Sequence, residues 1–368
     1  MPHFLIEMTQ TIHRKLNESS AARWTVLFIV SVVMMMGYVV AKEMSPLQYF
    51  LELPQFEGGL GWSSSEFGLF IGSRGFFNVY LLMLFVSGVI LDKTGVRFAG
   101  MLSCVLMLVG TAIDYYAIAI ASPVPATEVT FPTLGLDHTM VKDQVLMSAF
   151  GFAVFGIGYE LCGITVSKVI VKWFSGKEMA LAMGIQVALA RLGTALALLG
   201  GPFLAKYYQL STPILVGLFS VGLAVVIYLI YCAMDRKLDK ASDADNNEEK
   251  KAEKFSFKGL LTTLRSPGFW LITLLCMLYY SALYPFLDFA TKLMISKYGV
   301  SPEWAGGISS ILPFTSIILT PLFGGVYDRV GKGASIMILG TAMLTVVLMV
   351  FALPLHSSLL AVALMLIL

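Results

Sequence analysis

Charge is what this chain has least of. Asp, Glu, Lys and Arg make up 13% of its 368 residues and hydrophobic residues 57%, where an ordinary soluble domain carries about 25% charged residues. A water-soluble fold of this length would be short of polar surface, so that class is excluded first. Cysteine is scarce as well. Cys104, Cys162, Cys232 and Cys276 fall in or at the end of apolar stretches without paired spacing, so neither a disulfide framework nor a thiolate metal site is expected. His3, His13, His138 and His356 are scattered over tail and loops, without the spacing a metal site needs. No nucleophile–base pair, metal cluster or phosphate loop occurs. The sequence therefore predicts no enzyme, no cofactor and no nucleic-acid partner.

What the chain has is apolar length. Runs of about 20 residues, enough to cross a hydrocarbon core about 30 Å thick, recur at Trp24 to Val40, Phe67 to Leu91, Phe98 to Ile120, Leu146 to Lys172, Met179 to Leu204 and Pro213 to Met234. After a polar break they resume at Phe269 to Ala290, Trp304 to Tyr327, Ala334 to Leu355 and from Ser357 onward. Nine to ten spans of an all-α membrane protein are expected, the last cut at Leu368. Of the 25 lysines and arginines, 17 fall in segments that are cytosolic if the N-terminus is, five in the opposite loops and three within spans. That bias predicts an N-terminus in the cytosol. The expected organisation is a tail over 1–23, a six-helix bundle over 24–234, a linker over 235–265 and an incomplete second bundle over 266–368. Between Asp235 and Arg265 seven acids offset eight bases with no apolar periodicity, which suits a cytosolic linker better than a lipid-binding patch.

The chain repeats itself across that linker. Gly88-x-x-x-Asp92-Lys93-x-Gly95-x-Arg97 follows the second span, and Gly324-x-x-x-Asp328-Arg329-x-Gly331-Lys332 follows the eighth, 236 residues later. Upstream, Ser64-Ser65-Glu66-Phe67 and Ser301-Pro302-Glu303-Trp304 lie 237 apart, each placing a small hydroxyl cap ahead of an acid. In the turn motif glycine permits close helix approach, and the aspartate and following base hold neighbouring helix ends. Breaking those contacts would let a bundle rock, so Gly88, Asp92, Lys93, Gly95, Arg97, Gly324, Asp328 and Arg329 are gating candidates. Duplicated halves with this turn between their second and third spans resemble the major facilitator superfamily. The resemblance implies two six-helix bundles and transport by alternating access. Gly151, Gly156, Gly158, Gly163, Gly193, Gly200 and Gly201 are expected at close helix contacts.

Charge inside the spans is the remaining signal, because an ionised group at the bilayer centre costs about 2.5–3.5 kcal/mol or more. The candidates are Arg74, Asp114, Glu160, Lys168 and Arg191, with Asp288 and Lys292 near a helix end. Glu160 lies 13 residues before Trp173 and Arg191 13 residues after Glu178, on either side of a short turn. At ~1.5 Å per residue both reach roughly 20 Å in, near the midplane. A carboxylate and a guanidinium in one cavity suit a zwitterion, the acid taking an ammonium and the arginine a carboxylate. Lys168 reads as an interfacial anchor, Arg74 and Asp114 as a structural pair or entrance, and Asp288 and Lys292 as an i,i+4 pair at an outer gate.

Gly158-Tyr159-Glu160, Trp173-Phe174-Ser175-Gly176-Lys177-Glu178, Gly184-Ile185-Gln186 and Ala190-Arg191-Leu192-Gly193-Thr194 also resemble the lysosomal dipeptide transporters of that superfamily, the domain-containing protein 1 subfamily. Phe269-Trp270, Tyr279-Tyr280, Pro285-Phe286, Tyr298-Gly299 and Pro321-Leu322-Phe323-Gly324 continue the likeness. It implies that Glu160 and Arg191 contact the termini of a dipeptide, that Tyr279 and Tyr280 line the cavity with Gln186 as a lesser candidate, and that an accessory membrane glycoprotein is a family partner. It also implies a lysosomal membrane, but the tail has no acidic dileucine signal and a bacterial inner membrane fits equally. The expectation is facilitated diffusion of small zwitterions, with an organic-anion facilitator, a proton-coupled symporter or a non-transporting membrane sensor as rivals.

Overall fold

The computed structural model describes residues 19–121, 126–130, 138–174, 178–243, 262, 264–330 and 332–367. Helix is the dominant element, as a chain too apolar to hydrate its backbone requires, since in lipid each N–H and C=O must be satisfied internally. Helix α1 (Ser20–Glu43) is capped by Ser19, whose hydroxyl accepts from the Ala22 N–H. It stops where Pro46 opens a 3₁₀ turn, Ser45–Leu47, leading into α2 (Gln48–Glu52). Seven helical stretches among the described residues are long and apolar enough to cross a membrane.

The second expected span is not one straight rod. It is divided into α3 (Ser64–Ser73), α4 (Phe76–Tyr80) and the start of α5 (Met83–Ala119), with Leu82 in the left-handed region at φ 51°. The expected turn between spans two and three shrinks to Gly95, whose φ of 79° and ψ of 171° bend α5 into two arms. Only glycine adopts that backbone at little cost. A β-hairpin that the sequence reading did not anticipate follows, β1 (Ala126–Thr130) pairing antiparallel with β2 (His138–Lys142). Then come α6 (Asp143–Phe174), α7 (Met179–Tyr207) and α8 (Thr212–Asp243). The last runs past the expected span end at Met234. Beyond Asp243, the rest of the expected linker lies outside the described residues except Thr262, Leu264 and Arg265. The remaining helices are α9 (Pro267–Tyr298), α10 (Pro302–Val330), α11 (Gly333–Ala352) and α12 (Ser358–Ile367).

One buried apolar cluster draws only on residues between Val26 and Leu238, a second only on residues between Ala290 and Met365, and Leu198, Leu283, Leu287 and Leu312 form a bridge between them. Glycine sets the closest approach inside the first. A Cβ on Gly110 would stand 2.6 Å from the Gly151 carbonyl oxygen, and one on Gly193 2.4 Å from the Met35 oxygen, both far inside contact distance. Gly88 and Gly200 differ from expectation, since a Cβ at either would meet nothing within 4 Å.

Candidate substrate-binding cavity

Glu160 on α6 and Arg191 on α7 face the same space. Both line a cavity of about 530 Å³ with Tyr38, Gln186, Tyr280 and Tyr284, a volume within the range of small-molecule sites. Both also line a chamber of about 90 Å³ whose other walls include Lys42, Arg74, Tyr159 and Thr194. The hairpin turn itself, 175–177, lies outside the described residues; α6 runs unbroken from Glu160 to Phe174 and α7 from Met179 to Arg191. Among the described residues no ion pair joins Glu160 to Arg191. Two opposite charges held apart across an open space are available to a ligand, which a closed salt bridge would not be.

Tyrosines line the walls, with a buried phenylalanine stack behind Tyr159. Phe70, Phe152, Phe155 and Tyr159 stack in series at centroid spacings of 4.6, 5.7 and 5.8 Å, and Tyr38 meets Tyr159 edge-on at 5.2 Å. Tyr280 stacks on Tyr284 at 5.1 Å from α9. Arg74 sits over the Tyr159 ring at 5.9 Å and donates to the Ala41 carbonyl. Gln186 is 8% exposed. Tyr279 does not reach the Glu160 side: it lines a separate cavity of about 620 Å³ with Arg191, Leu283, Leu312 and Phe323. Lys42, Tyr38, Tyr159 and Tyr284 were missed by the sequence reading. Tyr159 was legible as the neighbour of Glu160, and Lys42 as a charge within a turn of a span end.

Among the described residues three ion pairs close one face over this cavity, and each ties a helix of the first half to one of the second. Lys42 bonds Asp288, which also accepts from the Ser45 hydroxyl at 2.9 Å. Lys292 bonds Glu52 and donates to Ser64 at 2.7 Å, and Lys206 pairs with Glu303. The expected i,i+4 pairing of Asp288 with Lys292 is therefore replaced by two cross-bundle partners. Nor do Arg74 and Asp114 pair, because Asp114 accepts from Ser148. On the same face Ser63, not Ser64, caps α3, exchanging hydrogen bonds with Glu66, and Glu66 bonds Lys142 at 2.8 Å. Burial opposes the Glu66 charge, but the hydrogen bonds from Lys142 and the Ser63 and Lys142 N–H groups outweigh it and hold its carboxyl below the usual range.

At the opposite face the described ion pairs stay within the first half, apart from any made by residues with undescribed side chains. Asp92 pairs with Lys168 at 2.6 Å, so Lys168 is a partner of the turn motif as well as an interfacial cation. Asp235, 1% exposed, gathers Lys172 at 2.8 Å, Arg97 at 3.4 Å, Tyr231 at 3.1 Å and Trp173 at 3.3 Å. It belongs to the bundle rather than to the linker where the sequence reading put it. Lys93 is exposed. Gly324, Asp328 and Arg329 fall in α10, the side chains of Asp328 and Arg329 lie outside the described residues, and so does all of Gly331.

Seven helices long and apolar enough to cross a membrane and a cavity with charged walls are the frame of a membrane transport protein. The Major Facilitator Superfamily model matches residues 19–368, and the chain belongs to that family, a family of transport proteins and not of enzymes. It is 28% identical over 198 residues to the lysosomal dipeptide transporter MFSD1 of Homo sapiens, covering 50% of this chain and 41% of that protein. The Danio rerio counterpart is 27% identical over 261 residues, covering 68% and 51%. The chain thus spans about half the length of the curated relatives it matches. In fold it is similar to a POT family transporter in complex with 5-aminolevulinic acid, with TM-score 0.65 and 14% identity over 93% of this chain and 79% of that one. A D-xylose-proton symporter gives TM-score 0.59 and 14% identity over 95% and 79%.

Proposed function

We propose that the protein carries small zwitterions, dipeptides above all, by facilitated diffusion through alternating access of two bundles, 24–234 and 266–368. Glu160 receives the substrate ammonium and Arg191 grips its carboxylate in a two-pronged bond, while Tyr280 and Gln186 complete the walls and Tyr279 the adjoining space. The observation that carries this reading is the unpaired placement of Glu160 and Arg191 in one cavity. A relative described as a dipeptide transporter supports it. The Gly88 to Arg97 turn, with Asp92, Lys93 and Gly95, acts with Gly324, Asp328 and Arg329 as the conformational hinge set. The charge distribution supports an N-terminus in the cytosol, in a bacterial inner membrane or a lysosomal one.

A thermal-shift series on the purified protein tests the substrate class, because a ligand that binds only the folded state raises its melting temperature. Dipeptides are expected to stabilise it and monocarboxylates not to. Equal stabilisation by monocarboxylates would favour an organic-anion carrier instead. Uptake of labelled dipeptide into proteoliposomes then separates carriage from mere binding.

A further inference from the structure

Glu43, the last residue of α1, is 2% exposed, and neither carboxyl oxygen has a hydrogen-bond partner in the protein. Its side chain fills the notch left by Gly217 on α8, where an added Cβ would stand 1.8 Å from its Oε2. An isolated carboxylate in such a place carries a desolvation cost far above that of the neutral acid.

Among the described residues no base forms an ion pair with it. Lys42 beside it is bonded to Asp288 from α9. The charged group that acts on it from α5 is Asp114, an acid of like sign held by Ser148 of α6. Of the other cations, Lys206 of α7 is committed to Glu303 of α10, Arg191 of α7 lines the cavity, and Arg74 after α3 donates to the Ala41 carbonyl. On α8 there is no ionisable side chain between Thr212 and Ile227.

We infer that Glu43 is a proton-binding site tied to the closed face: it holds a proton while Lys42 is bonded to Asp288, and releases it when that bond parts. Charge balance gives the reason. In the closed state Asp288 neutralises Lys42 and Glu43 is the neutral acid. Opening separates α1 from α9 and leaves Lys42 without a counter-ion one residue away. Glu43 then loses its proton to water and takes over as the anion beside Lys42. One proton is released per opening, and acid on that side favours the closed state. This rests on the alternating-access fold and not on the identity of the substrate.

The test uses the full chain in proteoliposomes with Cys276→Ser and a reporter, Leu47→Cys, at a residue fully buried under the closed face. An impermeant maleimide reads how often that face opens. Relative to the same reporter in Glu43→Gln, labelling should rise about tenfold per pH unit while one proton is released on opening. Identical pH dependence in both backgrounds overturns the proposal. Infrared spectroscopy supplies a measurement that does not depend on the Glu43→Gln variant folding: Asp114→Asn should keep a protonated-carboxyl band at neutral pH. Absence of that band overturns the proposal equally.

Discussion

Lys42 and Asp288 stand 246 positions apart in the chain and meet as a buried ion pair between the first bundle and the second. Buried pairs contribute little net stability, but removing one partner strands the other at a cost of about 3–5 kcal/mol. Asp288→Asn is therefore expected to weaken the closed face specifically. Oxidative cross-linking of Glu52→Cys to Lys292→Cys, whose native side chains meet across that face, should slow in the Asp288→Asn background. It should recover in the double variant Lys42→Met/Asp288→Leu, where no charge is left stranded. An unchanged cross-linking rate in Asp288→Asn would remove the pair from the gate.

Helix spacing gives a second expectation, on stability. A Cβ at Gly110 would stand 2.4 Å from the Phe155 backbone nitrogen, whereas one at Gly184 meets nothing within 4 Å. Backbone cannot yield as a side-chain tip can, so Gly110→Ala should destabilise by about 1–3 kcal/mol. Gly184→Ala should be neutral or stabilise by up to ~1 kcal/mol through helix propensity. Melting temperatures of the two variants in one detergent check the contrast, and a Gly110→Ala protein as stable as the parent would refute the tight α5–α6 packing.

Acid sensitivity has a named source outside the spans. The folded-state carboxyl of Glu66 lies below its ordinary value because its bonds to Lys142 and Ser63 outweigh burial. A depressed folded pKa means stability that is fully present above the unfolded value of about 4.3 and is lost as pH falls through the folded value. Glu66→Gln should therefore be less stable than the parent at pH 7, and the gap should narrow only below about pH 4.3. Parallel melting curves over that range decide it; a gap that stays constant into acid would assign the loss to the cap geometry alone.

That Glu160 and Arg191 share a cavity was legible in the sequence because each lies 13 residues from a short turn between two apolar helices. The apolar runs likewise fixed most of the helices. The break in the second span was not legible, since Ser73, Arg74, Gly75 and Leu82 sit within an apolar run that hydropathy smooths over. Ion-pair partners were the least accessible. Asp288 and Lys292 satisfy a local i,i+4 rule, yet bond to Lys42 and Glu52, because sequence spacing says nothing about what the other bundle presents. Asp235 was misplaced for a related reason: its polar neighbours disguised a residue buried among Lys172, Trp173 and Tyr231.

The proposed roles of Glu160 and Arg191 can be separated by pairing variants with ligand changes. If Glu160 takes the ammonium, acetylating a dipeptide's amine removes the charge that it recognises. The parent should then bind the acetylated form at least about tenfold more weakly, a charged hydrogen bond being worth about 1.5–3 kcal/mol. In Glu160→Gln the free and acetylated dipeptides should bind alike, because the discriminating partner is gone. Arg191→Lys keeps the charge but loses the planar fork, so it should weaken both forms about equally. Amidating the peptide carboxylate should cost affinity in the parent and far less in Arg191→Gln. Competition against a fluorescent dipeptide in detergent reads all these ratios. Persistent discrimination against the acetylated peptide in Glu160→Gln would move the ammonium site elsewhere in the cavity, whose polar walls include Tyr38, Tyr159, Ser167, Gln186, Tyr280 and Tyr284.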